Sequence, residues 1–146
     1  MIQSLLNSTV VPLLEKVVQF SERRQRLLAS NNAHIDTPNY KTRDLPVEQF
    51  RQALKDAVAA RLNGPLADGS QSAGASANKS IDQFFPKELF QPVLAPPQNI
   101  TFQDGNNRSV EKTVMDMRKN VAMQRFAIEV ITAQLNMLQT VISERA

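Results

Sequence analysis

The chain has 146 residues and a formal net charge of +3, so one domain is the default expectation and the basic excess is too small for a protein that lives on phosphate backbones. It contains no cysteine and a single histidine, His34, which excludes disulfides, thiolate zinc sites, cysteine nucleophiles and two-histidine metal sites. With no tryptophan and one tyrosine, an aromatic platform for stacking nucleic-acid bases is not expected.

The N-terminal part of the chain predicts a long helix after a short leading segment. Residues 1–7 lack the basic residues and the long apolar core of a cleavable signal peptide. Pro12 is tolerated in a first helical turn, so the helix is expected to start after Ser8 or Thr9 and to end near Ala29. Its apolar residues recur at steps of four and three, the spacing of a coiled-coil seam: Leu6, Val10, Leu13, Val17, Phe20 and Leu27.

Three arginines, Arg23, Arg24 and Arg26, form a basic cluster late in this helix, and Arg24 interrupts the apolar series. Cations near a helix C-terminus are favoured by the helix macrodipole, so a solvated cluster is the preferred interpretation. The alternative is a helical protein associated with nucleic acid, whose binding would depend steeply on salt concentration.

Residues 29–41, A-S-N-N-A-H-I-D-T-P-N-Y-K, predict a defined turn after the helix. Asn31 and Asn32 can stop a helix, because asparagine tolerates the left-handed conformation at a helix C-terminus. Pro38 holds the residue before it extended, and Asn39 tolerates positive φ. Physical chemistry alone indicates a structured turn here and no function.

This segment resembles the signature of bacterial flagellar rod and hook proteins, whose usual form reads like A-S-N-I-A-N-A-D-T-P-G-Y-K. His34 stands where the second asparagine of that form usually lies, and Asn39 replaces a glycine. The signature-loop residues carried over by the resemblance are Asn31, Ala33, Asp36, Thr37, Pro38, Tyr40 and Lys41.

The middle of the chain predicts one short helix and then an irregular arm. A helix is expected from about 47 to 63, because Gly64 and Pro65 form a stop signal. Residues 67–80 have the Gly, Ser, Ala and Asn composition of a flexible linker. The prolines of 81–104 forbid a long helix and favour an extended arm, in which 99–103 is a candidate strand or clasp.

Residues 109–142 predict a helix about 50 Å long that carries a coiled-coil seam. We expect this seam to pair with that of the N-terminal helix, so that the two ends of the chain form one structural domain. The predicted intrachain seam consists of Leu6, Val10, Leu13 and Val17 with Val114, Met117, Val121, Ile128, Ile131, Leu135, Leu138 and Ile142.

The same helix has a second apolar face, which a simple two-stranded coil would not have. A membrane span is not favoured, because the uncharged run from 130 to 143 is short and contains Gln134, Asn136 and Gln139. A core helix of a monomeric bundle or contacts with neighbouring subunits would explain this face. The predicted subunit-contact face consists of Met123, Phe126, Val130, Met137 and Val141.

An Asp-Gly-Asn turn at 104–106 before a long C-terminal helix extends the resemblance, and the layout is that of the smallest, proximal-rod members of the flagellar axial family. The resemblance implies a mainly α fold, with the terminal helices pairing as a coiled-coil-like core of the kind axial proteins share and an irregular, Pro-rich middle. The expected segments are 1–42 (N-terminal helix and signature loop), 43–64 (short helix), 65–108 (linker and arm) and 109–146 (C-terminal helix).

In function, the resemblance implies a structural subunit of the periplasmic rod, exported by the flagellar type III apparatus without a cleaved signal. Its implied partners are other rod subunits, the proteins at the junction of rod and MS ring, and further copies of itself in a helical assembly. No cofactor, nucleic acid or membrane span is expected. The sequence has no phosphate-binding loop, metal-ligand spacing or recognisable catalytic triad, so an enzyme is not expected. A cytoplasmic coiled-coil adaptor or secretion chaperone remains the alternative; it would need the two seams but not the loop.

Overall fold

The computed structural model describes residues 9–62, 81–95 and 110–144. Predictions for Leu6, the linker at 67–80, the strand or clasp at 99–103 and the turn at 104–107 lie outside these residues. The described elements are helices α1 (Val11–Ala33), α2 (Val47–Leu62) and α3 (Val110–Glu144), two 3-10 helices (Ile81–Gln83 and Lys87–Phe90) and the two-residue strands β1 (Arg43–Asp44) and β2 (Val93–Leu94).

The predicted fold class is confirmed: the protein is mainly helical, its two long terminal helices pack together, and a shorter helix lies between them in sequence. The chain divides into two compact units. The described residues of the first unit are 9–44, 92–95 and 110–144, and those of the second are 45–62 and 81–91.

Helix α1 has Pro12 in its first turn, as predicted, and continues to Ala33, four residues beyond the predicted end near Ala29. The asparagines did not stop the helix at this point. The side chain of Asn31 hydrogen-bonds to Arg43, twelve residues away, and so does not compete for the local backbone groups of the helix.

Helices α1 and α3 run antiparallel in the first unit. Asn120 of α3 lies against Ser21 and Gln25, whereas the residues near Ile128 lie beside Glu15. Burial of apolar side chains on one face of α1 drives this packing, at roughly 25 cal/mol per Å² removed from water. The buried apolar residues of the two helices are Val11, Leu13, Val17, Phe20, Leu28 and Ala127.

The two helices meet through small and polar residues at the centre of their contact. Ser21 is fully buried, and Ala127 is 1% exposed. The amide nitrogen of Asn120 donates to the carbonyl oxygen of Ser21 at 2.7 Å and to Oε1 of Gln25 at 3.0 Å. Short side chains leave little between the two backbones, so the helices lie close enough for a side chain of one to bond the main chain of the other.

The second unit has an aromatic centre. Helix α2 starts directly after Pro46, as the sequence predicts within one residue at either end. The ring of Phe50, 1% exposed, lies 5.4 Å from the ring of Phe85 and 6.3 Å from that of Phe90, measured between centroids. Such tilted and edge-on pairs are the favoured geometries of aromatic side chains.

A test of the helix contact is to enlarge Ala127. Ala127→Leu adds three carbon atoms where there is no room, so we expect the free energy of unfolding to fall by about 1–3 kcal/mol in a urea titration followed by circular dichroism. Ala133→Leu is the matched control, because Ala133 is exposed on the same helix and should stay within about 0.5 kcal/mol of the parent chain. Equal stabilities of the two variants would contradict the close approach at Ala127.

Candidate functional site

Asn31, in the last turn of α1, holds β1 through both ends of its side-chain amide. Its Nδ2 donates to the carbonyl oxygen of Arg43 at 2.7 Å. Its Oδ1 accepts from the backbone N–H of Arg43 at 3.2 Å and from the hydroxyl of Tyr40 at 3.1 Å. The amide therefore makes the pair of hydrogen bonds that a neighbouring strand would make, and at 7% exposure it makes them largely out of water.

Strand β1 thus has a partner on each edge. Successive residues of a strand direct their backbone groups to opposite edges, so Arg43 bonds Asn31 while its neighbours bond β2. Arg43 pairs with Leu94 and Asp44 with Val93 in an antiparallel ladder, which the 3.0 Å bond from the Ala95 N–H to the Thr42 carbonyl extends.

A second attachment of β1 to α1 is the ion pair between Arg24 and Asp44. The guanidinium donates from Nε to Oδ1 at 2.9 Å and from a terminal nitrogen to Oδ2 at 2.8 Å, the bidentate geometry that suits arginine and carboxylate. The Arg24 side chain is 14% exposed, so its predicted role as part of a solvated basic cluster is wrong. Arg26 does lie in water and pairs with Glu22 one turn away on α1.

The environment of Arg24 raises the pKa of its guanidinium above the usual arginine value. The hydrogen bonds that the guanidinium donates to the Asp44 carboxylate are the main cause of the raised pKa. Burial opposes them, and the negative charges of Asp44 and Asp116 add to the rise. A raised folded-state pKa stabilises the fold at every pH below the unfolded-state value, and this contribution disappears only as the pH rises through the folded-state value. The ion pair therefore keeps its charged arginine throughout the physiological range.

The rest of the signature loop is an ordered turn. Asn39 has φ of 59°, which the sequence had indicated from the tolerance of asparagine for this conformation. The ring of His34 stacks on that of Tyr40 at 4.9 Å between centroids, and its Nδ1 lies 3.4 Å from Oγ1 of Thr37. His34 thus packs within the turn. The signature residues with exposed side chains are Ala33, Asp36, Thr37, Pro38 and Lys41, whereas Tyr40 is half-buried.

The residues of α3 that face α1 form a line along the helix at alternating steps of four and three residues, and many of them are polar. Only Asn120 and Ala127 on it are fully buried. Met117, Ile131 and Leu138 also belong to the predicted seam. The whole line is Thr113, Met117, Asn120, Gln124, Ala127, Ile131, Gln134 and Leu138.

Several residues of the predicted seam lie at the side of this line and are open to solvent: Ile128 is 45%, Leu135 44% and Ile142 61% exposed. At 100° per residue they form one flank of α3, because the buried line takes the central position. On α1, Leu13 and Val17 are buried and Val10 is exposed. The remaining described seam residues, Val114, Met117, Val121, Ile131 and Leu138, are half-buried.

The predicted subunit-contact face forms the opposite flank of α3. Met123, Phe126, Met137 and Val141 are between 38% and 66% exposed, and Val130 is half-buried. Two flanks of one helix therefore present apolar side chains to solvent. Whether either of them meets another subunit stays a prediction.

By length and composition alone, Val110–Ser143 could also cross a membrane, with a mean hydropathy of 1.2 in its most apolar window. The helix instead packs along α1 through hydrogen-bonded Asn120, and its central line holds two glutamines. Only 6% of that window is buried within the described residues, so packing against α1 does not by itself account for its hydropathy. The absence of a membrane span stays a prediction.

Sequence reasoning missed the polar residues that join the elements, namely Arg24 with Asp44 and Asn120 with Ser21. One signal was present: Arg24 occupies a seam position of α1, and an arginine there needs an acidic partner. Nothing in the sequence pairs it with Asp44, which is 20 residues away.

Within the described residues, no group of three or more histidine, aspartate or glutamate side chains could hold a metal ion. The features that the structure brings together are a hydrogen-bonded loop fastened to α1 and exposed apolar flanks along α3.

No protein-family model matches the chain. The chain is 25% identical over 138 residues to the flagellar basal body rod protein FlgB of Bacillus subtilis, a match that covers 94% of this chain and 96% of that protein. It is 27% identical over 138 residues to the protein of the same name from Aquifex aeolicus, covering 93% and 94% of the two chains. The chain is a homologue of the FlgB-type flagellar basal-body rod proteins. The relation to FlgB proteins spans both terminal helices, the signature loop and the middle of the chain.

Removal of the Asn31 amide tests the fastening of the loop. Asn31→Ala leaves the backbone groups of Arg43 and the Tyr40 hydroxyl without their partner, so we expect a loss of about 1–3 kcal/mol of stability and faster hydrogen exchange at the Arg43 amide. Asn32→Ala, an exposed neighbour in the same helical turn, should change neither quantity. Unchanged exchange at Arg43 in the Asn31 variant would contradict the role of the amide.

Two ion pairs made by arginines of α1, one shielded from water and one exposed, allow a matched test of how burial affects the coupling energy. A double-mutant cycle of Arg24→Met and Asp44→Leu should give a coupling energy of about 1–3 kcal/mol, because the pair is bidentate and largely shielded from water. The cycle of Arg26→Met and Glu22→Leu should give about 0.5 kcal/mol or less, since both side chains are exposed. Equal coupling energies would show that Arg24 and Asp44 do not fasten β1.

Proposed function

We propose that this chain is a structural subunit of the proximal rod in the flagellar basal body. It would assemble with other rod proteins into the drive shaft that crosses the periplasm and encloses the export channel of a motile bacterium. The observation that carries the proposal is the similarity to two FlgB proteins over more than nine-tenths of the chain. The ordered signature loop and the apolar flanks of α3 support it.

The flanks support assembly because they are large and exposed. Apolar side chains on both sides of α3 are unfavourable in water unless other protein surfaces cover them. The two flanks differ in sequence, and contacts between unlike patches extend into an open helical array when the rotation between subunits does not close a ring. An open array is what a rod requires.

The proposed partners are other rod subunits, the proteins at the junction of rod and MS ring, and the flagellar type III export apparatus. Export would use information in the segment of about 1–18, without a cleaved signal. The proposed structural role requires neither a cofactor nor an enzymatic reaction.

The first test is cellular. Deletion of the gene from its host should abolish rods and swimming, and a tagged copy should restore both and co-purify with basal bodies. A tagged chain that restores swimming but stays in the cytoplasm would instead support an adaptor or secretion chaperone.

A second test concerns the subunit-contact face. Met137→Asp places a charge on an exposed apolar flank, so we expect the variant to be exported at normal levels but to be depleted from isolated basal bodies by about tenfold or more. Val130→Asp should act in the same direction. Gln49→Asp is the matched control, because it introduces the same charge at an exposed polar position on α2, outside both apolar flanks of α3. Normal rods and swimming in the Met137 and Val130 variants would argue against the assignment of this face.

A further inference from the structure

A groove in the first unit lies between the C-terminal half of α1 and the N-terminal half of α3. It has a volume of about 740 Å³ and an apolar floor that includes Val114, Met117 and Val121, and the exposed ring of Phe126 borders it. Three exposed charged residues stand at its edge, Arg118, Arg125 and Glu129, with a net charge of +1. The groove is a surface for a protein segment rather than a pocket for a small molecule, because it is open along its length and mostly apolar.

Near its C-terminal end, α3 has an uncharged stretch that presents exposed apolar side chains. Residues 135–142 contain no acidic or basic residue, and Leu135, Met137, Val141 and Ile142 are between 44% and 66% exposed. In the antiparallel pair Glu15 lies beside Ile128 and Ile131, so the last turns of α3 extend past Thr9, where the described part of α1 begins. No described residue covers this end of α3.

We propose that residues 135–142 of one copy of this chain dock in the groove at 114–129 of a second copy. The inference rests on the proposed function and adds to it the pair of surfaces that meet. The C-terminal end of α3 carries the negative pole of the helix dipole, and Arg118 and Arg125 at the groove offer the matching positive charge.

Charge also disfavours the symmetric alternative. Two grooves packed face to face would bring together two surfaces whose rim residues Arg118, Arg125 and Glu129 each sum to +1, and like net charges at close range repel. An uncharged helix end avoids this repulsion and leaves the arginines at the rim.

The contact is head to tail, so each copy has its groove and its helix end free for different neighbours. The middle of the groove and the middle of the exposed end are about 26 Å apart along α3, at 1.5 Å per residue. One copy can therefore be engaged at both sites at once. Repetition of the contact produces an open line of subunits, as a rod requires.

The chain lacks cysteine, so introduced cysteines report the contact without background. Full-length Val121→Cys (groove) and Ile142→Cys (helix end), one of them carrying a size tag, are mixed and treated with a short bismaleimide. We expect about tenfold more of the mixed dimer than of either symmetric dimer, and a ladder of higher species from the double variant. Lys55→Cys, exposed on α2, mixed with Ile142→Cys is the control and should give only background.

The same variants are cross-linked in basal bodies isolated from cells, and circular dichroism confirms that each keeps the helix content of the parent chain. Dominant symmetric dimers through Val121→Cys, or no mixed product above the Lys55→Cys control in basal bodies, would overturn the head-to-tail contact. A chain that is absent from basal bodies would instead overturn the proposed function. A chain that is present there but not linked overturns only the contact.

The rim arginines give an independent check. Arg118→Gln combined with Arg125→Gln keeps the apolar floor but removes the positive charge that faces the helix end. We expect the mixed dimer to fall about threefold to tenfold in yield, and the loss to be smaller at high salt, where the parent contact is itself weakened. An unchanged yield would remove the charge argument on which the choice of occupant depends.

Discussion

The close contact between α1 and α3 sets the rotation of α3 about its own axis, and the remaining surface depends on that rotation. Ser21 and Ala127 are small enough for the helices to approach, and Asn120 fixes their register by bonding the main chain of α1. A buried amide of this kind contributes specificity, because a shift along the helix or a rotation would leave it without a partner. The residues nearest α1 are consequently not the most apolar residues of α3.

The apolar rows of α3 lie beside this contact and remain largely open. A monomer of this size rarely leaves so many large side chains of one helix exposed without a use for them. Exposed apolar rows of this kind are expected in a subunit whose surface is covered by other subunits after assembly. This pattern agrees with the relation to FlgB proteins, whose name places them in the basal-body rod.

The signature loop after α1 is held in place by side chains of α1 that bind strand β1. Asn31 and Arg24 both occupy the inner face of α1. The side chain of Asn31 binds the backbone of Arg43, and the side chain of Arg24 binds the side chain of Asp44. Strand β1 also pairs with β2, so the points where the chain leaves the first unit and returns to it are adjacent.

The sequence by itself determined the three α-helices, the start of α1 around Pro12, the bounds of α2 and the positive φ of Asn39, because these depend on neighbouring residues. It did not indicate the two 3-10 helices within the predicted extended arm. Tertiary structure decided the end of α1, the burial of Arg24 and the line along which α3 meets α1. Asn31 bonds a residue 12 positions away, Arg24 one 20 away and Asn120 one 99 away. Periodicity shows which residues share a face of a helix. It does not show which face comes nearest to a partner, because that distance depends on the size and hydrogen bonding of side chains from both helices.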